Sequence, residues 1–140
     1  MRDLELAEHM LKQKNLDLVI ARNGRIIFEN GLLGIRGLLH AIEKLGKEFI
    51  GSSVADRIVG RAAAMLCVYS KAASVFAVMI SEEGIKVLEE NKLFYRFENR
   101  VPNILNQEGT DICPFEKLVM ELTRTEEAYK KLKSFVDAQG

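Results

Sequence analysis

The sequence has no excess of charge. Lys plus Arg is 20 and Asp plus Glu is 20 over 140 residues, so the formal net charge is zero. That excludes the electrostatic footprint of a nucleic-acid binder and any general pull toward an anionic membrane. Long apolar runs are also missing, so no bilayer span is expected, and the opening MRDLELAEHM is not expected to be a signal peptide. The two cysteines, Cys67 and Cys113, do not make a disulfide framework, which favours a reduced, cytoplasmic setting. Both histidines, His9 and His40, read as solvated positions on amphipathic helices rather than as catalytic groups. No internal repeat, linker or low-complexity run is present.

What is there is an ordinary globular balance, 48% hydrophobic and 29% charged, which suits a single domain over residues 1–140 with one core. Leu4, Ala7, Met10 and Leu11 share one face of a helix expected over 3–14, ended by Asn15. Strands are expected at 16–21 and 25–29, joined by Asn23-Gly24, a strong hairpin signal because both turn positions need positive φ. Ile35, Leu38, Leu39, Ile42 and Leu45 then form a helical stripe that Gly46 can cap. SVFAVMIS, residues 74–81, reads as a strand buried on both faces. Ser81 caps a short helix after it, FYRFEN alternates as a strand, and a last helix runs from Pro114 onward with Leu118, Val119, Leu122 and Tyr129 inward. This order implies an α/β protein, a three-layer α/β/α sandwich on a mixed four- or five-stranded sheet.

The stretch SSVADRIVGRAAAMLC reads as one buried helix from about Val54 to Tyr69, with its charges confined to Asp56, Arg57 and Arg61. Ser53 would be its cap and Asp56 would complete a capping box. Gly60 costs about 1 kcal/mol against Ala in a helix interior, which a close packing partner would justify. The helix N-terminus, ringed by Ser52, Ser53, Asp56 and Arg57, would deliver free amides and a partial positive charge to one edge of the sheet. Capping and local ion pairing account for Ser53 and Asp56 without any ligand. They account less well for Arg57 and Arg61, because buried arginine is rare unless paired or facing a ligand. A second polar spot is DICPFEK, 111–117, where Cys113 precedes a proline-started helix and Glu116 lies one turn in. A thiol there can be reactive if it is exposed beside a positive group; otherwise the segment is a cap.

The segments GSSVADRIVGRAAAML and VPNILNQEGTDICPFEKLV together resemble a small family of uncharacterised prokaryotic proteins with a cytidine-deaminase-like fold. The resemblance spans roughly residues 5–125 and implies that fold for the whole chain. Zinc deaminases carry His-x-Glu at the start of the buried helix and Cys-x-x-Cys at a later helix start. Here the resemblance would align Val54-Ala55-Asp56 with the first motif, with Asp56 in place of the proton-shuttling Glu. Ser81, Glu82, Glu83 and Gly84 would stand at the second, and Cys113 to Glu116 would come one element late. Three nitrogen or sulfur ligands are not assembled, so no metal, no cofactor and no zinc-dependent deamination are expected.

The expectation is therefore a protein that binds a small molecule, such as a nucleotide or related metabolite. Ser52, Ser53, Asp56, Arg57 and Arg61 would line the site, with Cys113 and Glu116 across from them. One alternative is a metal-free enzyme with Cys113 as nucleophile and Asp56 or Glu116 as base. Another is an interaction module with a vestigial pocket. A homodimer is the default oligomer for such a chain.

Overall fold

The computed structural model describes residues 2–32 and 34–139. Helix α1, Arg2–Gln13, buries Leu4, Ala7 and Leu11 completely, a three- and four-residue spacing that keeps them on one face. Truncating Leu4 or Leu11 to Ala is expected to cost about 2–5 kcal/mol. Asn15 turns the chain at φ 52° into strands β1, Leu18–Arg22, and β2, Arg25–Asn30. Asn23 and Gly24 join them at φ 55° and 77°, as the hairpin signal requires. The Asp3 carboxylate accepts bonds from both turn amides, at 3.0 and 2.8 Å, and so ties the first turn of α1 to the hairpin.

Helix α2, Ile35–Leu45, buries Ile35, Leu38, Leu39 and Ile42 and closes at Gly46, φ 53°, into a short 3-10 turn. Strand β3, Ser53–Val59, helix α3, Arg61–Tyr69, strand β4, Ser74–Ser81, helix α4, Glu82–Glu90, and strand β5, Phe94–Val101, follow. Helices α5, Pro114–Val119, and α6, Thr125–Ala138, end the chain. The five strands form one mixed sheet in the order β2-β1-β3-β4-β5. The β1 pairings are antiparallel, and β3, β4 and β5 run parallel. Helices α3 and α4 form the two crossovers between these parallel strands and pack into the same core on one face of the sheet. That face and helices α2 to α6 share the large core around Leu38, Val54, Met65, Leu66, Val75 and Leu132. The opposite face is covered by α1 over Val19, Ala21, Ala55 and Phe76. The three-layer α/β sandwich is thus as expected, with five strands.

Two elements differ from the sequence reading. Residues 53–69 are not one helix: Ser53–Val59 is a strand, Gly60 a joint, and only Arg61–Tyr69 is helical. The β-branched Val54, Ile58 and Val59 suit a strand, and alternation explains the adjacent charges. Val54 packs on the α3 side and Ala55 on the α1 side, so Asp56 follows the first and Arg57 the second. The helix beginning at Pro114 stops at Val119 and resumes at Thr125, so the inward residues expected on one rod belong to two. Leu122 lies between them, and Tyr129 stacks flat on Tyr69 at 4.5 Å.

Candidate functional site

The carboxyl ends of the parallel strands meet the starts of α3 and α5. At this edge β3 ends in Val59, Gly60 is extended at φ −104°, and α3 begins at Arg61 without a side-chain cap of its own. Its cap comes from elsewhere in the chain. Glu116, in the first turn of α5, accepts from Arg61 N at 2.7 Å and from Ala62 N at 2.8 Å. The carboxylate thus takes two of the four orphan amides a helix start exposes, and its charge lies at the positive end of the dipole. Burial raises the Glu116 pKa, and the two amide bonds partly offset that rise. Gly60 makes room for it: a Cβ there would lie 2.3 Å from Glu116 Oε1. Arg61 reaches away from this carboxylate. Its Nε donates to Val119 O at 3.1 Å, Nη1 to Glu83 Oε1 at 3.1 Å and Nη2 to Leu122 O.

Beside this junction lies a cleft of about 330 Å³. Its walls are mostly apolar, from Ile35, Ile58, Ala63, Ile104 and Phe115, and Cys113 and Glu116 also line it. Loop residues Asn106, Gln107 and Glu108 give it a polar rim. Among the described residues, no Lys, Arg or His lines it. The rim loop is held in shape by its own bonds, Asn106 Oδ1 accepting from Thr110 N at 2.9 Å and Ile104 O accepting from Cys113 N at 3.0 Å.

The structure gathers three of the expected site residues, Arg61, Glu116 and Cys113, around this junction. It disperses the other four. Ser52 and Ser53 lie at the opposite end of β3, where Ser53 Oγ accepts from Ser74 Oγ at 2.7 Å. Ser53 is therefore no helix cap; it belongs to a strand pair. Arg57 faces α1, donating to Leu16 O at 2.7 Å and Asn15 Oδ1 at 2.8 Å, where it closes the C-terminal end of that helix. Asp56 is buried within β3, four residues before the glycine joint, and not in a capping box. Its Oδ1 accepts from Ile58 N at 3.4 Å, and burial pushes its carboxyl up to about 7, with Asp17 adding to the rise. Burial, and then the nearby Asp56, raise the pKa of Cys67, the thiol beneath the sheet.

The expected free helix terminus is thus filled from inside the chain. Asp56 is not among the residues lining the cleft, and Glu116 accepts from the two α3 amides with one bond to each of its oxygens. Gly60, Arg61 and Ala62 open the buried helix, and among the described residues no three His, Cys, Asp or Glu side chains converge. Sequence reasoning missed Ile35, Ile58, Gly60, Ala63, Ile104 and Phe115 as cleft residues. The usable signal was Gly60 itself, an awkward helix residue but a natural hinge from strand to helix.

A mixed five-stranded α/β sandwich with its cleft at the carboxyl edge of the parallel strands is the architecture the geometry defines. The likeness extends to Acinetobacter baumannii RibD in form 1 and form 2, at 13% and 14% identity and a TM-score of 0.51 for each. Those alignments cover 69% and 68% of this chain but 34% of RibD, and they show a shared fold alone. The chain belongs to the DUF1893 family, since the TM1506 domain of unknown function matches residues 6–136. A crystal structure of a DUF1893 family protein from Thermotoga maritima is similar over 94% of this chain and 88% of that one, at 30% identity and a TM-score of 0.87. No curated protein matches the chain significantly. Among the described residues, no helix is long and apolar enough to cross a membrane.

Proposed function

We propose that the chain binds a small unphosphorylated metabolite, neutral or cationic and nucleoside-like in size, in the cleft between β3, α3 and α5. One observation carries this reading: the cleft is apolar-walled and, among the described residues, basic-free, and the helix amides that would grip an anion already hold Glu116. Its volume falls within the range of about 300–1,000 Å³ usual for small-molecule sites. A phosphate entering it would meet Glu108 and Glu116 and no cation, since Arg61 is committed to Val119, Leu122 and Glu83. The nucleotide considered from the sequence is therefore narrowed to its unphosphorylated core.

The test is a thermal-shift comparison of nucleosides and small amines with their phosphorylated counterparts. A ligand that binds only the folded chain raises its melting temperature with concentration. The unphosphorylated members are expected to stabilise the protein, and capping Cys113 with a maleimide is expected to remove the shift. Equal or greater stabilisation by the phosphorylated members, or shifts indifferent to the cap, would overturn the reading. A flat response across the panel would favour an interaction module.

A further inference from the structure

Strand β5 ends the sheet, and among the described residues its outer edge has no neighbouring strand. It is the longest exposed run on the sheet, with Phe94, Arg96, Phe97, Glu98, Asn99 and Arg100 all open to solvent. Among the described residues, the exposed large apolar side chains that lie on a strand are Phe94 and Phe97. An edge of this kind is a template for a further strand. Edge charges usually discourage addition, and a run of one sign would repel every copy of itself. Here the sign alternates, Arg96, Glu98, Arg100, on one face of the strand.

We propose that β5 pairs antiparallel with β5 of a second copy about a two-fold axis at Phe97, joining the two sheets edge to edge. The register follows from charge. With Phe97 opposite Phe97, Arg96 of each copy faces Glu98 of the other, twice per dimer. A slip of two residues either way sets Arg96 against Arg96 or Glu98 against Glu98, and like charges directly opposite are unfavourable. Arg96 and Glu98 are already positioned, by Glu8 at 2.9 Å and by Lys12 respectively, so each arrives with its side chain ordered on the α1 face. Phe97 lies on the other face beside Tyr95, ring centroids 6.2 Å apart, and two copies would bring the pairs together. An isologous contact of this type closes on itself and covers the β5 edge of both copies, leaving β2 as the outer strand at each end. None of these residues lines the cleft, so the proposal stands independently of the binding reading.

Sedimentation of the full chain over a concentration series tests it, with Arg96→Glu and Glu98→Arg made separately. Each variant alone places like charges opposite and is expected to weaken the dimer about tenfold or more. Mixing the two variants restores opposite charges at both pairs and is expected to restore the dimer as a heterodimer. A wild-type chain that stays monomeric throughout overturns the proposal, as does a dimer that both variants leave unchanged or that mixing fails to rescue. If the variants unfold through loss of the Glu8 and Lys12 contacts, amide hydrogen exchange on the wild-type chain decides. Protection of the β5 amides that rises with concentration supports the pairing, and concentration-independent exchange there overturns it.

Discussion

Gly60 and Glu116 occupy one space between them: the site a Cβ would take on the glycine is 2.3 Å from the glutamate oxygen that caps α3. The backbone of Gly60, at φ −104°, suits any residue, so the glycine is needed for the approach and not for the turn. Gly60→Ala should then cost about 1–3 kcal/mol by overpacking. Glu116→Ala should cost a similar amount by leaving two helix amides without a partner. The double variant should be clearly less destabilised than the sum, since the clash goes with the carboxylate. Urea denaturation of all four proteins gives the coupling, and strict additivity would show that the two residues do not share this space.

Arg61 acts as a strut between the start of α3 and the turn joining α5 to α6, through Val119 O and Leu122 O. A planar fork reaches two carbonyls and the Glu83 carboxylate at once; an ammonium does not. Arg61→Lys is expected to lose about 1–3 kcal/mol, little less than Arg61→Met, in equilibrium unfolding. Full retention of stability by lysine would mean that charge alone is what the position requires.

The sheet was legible wherever local chemistry had a single reading. Asn23-Gly24 named its hairpin, Gly46 its helix end, Ser81 its cap and SVFAVMIS its buried strand. The misreading at 53–60 has a physical source. A strand facing both layers carries few polar residues, and a buried helix looks the same over so short a run. Asp56 and Arg57 looked like a helix start because adjacent charges at a capping distance are common there. In fact they point to opposite faces of the sheet. The cap on α3 comes from a residue more than fifty positions away, and no local pattern reveals such a partner. The cleft was legible in Cys113 and Glu116, and illegible in Ile35 and Ile58, which are indistinguishable from core residues until the helices are placed.

The two thiols should separate cleanly under labelling. Cys67 is enclosed beneath the sheet and its pKa is raised, so it carries little thiolate, whereas Cys113 is half-buried in the lining of the cleft. One equivalent of maleimide is expected to react with the folded protein, at Cys113, and a second only in denaturant. Mass spectrometry of the digested adduct reads the position. Modification of Cys67 at the rate of Cys113 would mean that the α3 layer opens far more readily than its packing indicates.

Asp56 should make the protein weaken as pH rises through the range in which most proteins are steady. Its carboxyl is pushed up to about 7 by burial, against about 3.9 for an unfolded aspartate. Between those values the folded chain keeps a proton that the unfolded chain has lost. The folded state therefore binds more protons, and stability falls with rising pH, beginning near the unfolded value and levelling off above about 7. The difference of about three units corresponds to about 4 kcal/mol between the two ends of the window. Asp56→Asn carries no such proton, so the variant should match the wild type near pH 4 and exceed its stability by about that amount at pH 8. Exposed carboxylates held low by cations, Asp111 beside Lys117 and Glu82 beside Arg100, are common to both proteins and cancel in the comparison. Urea unfolding of the pair across this range measures the difference directly. A gap between them that does not change with pH would show that Asp56 is ionised in the folded chain across this range.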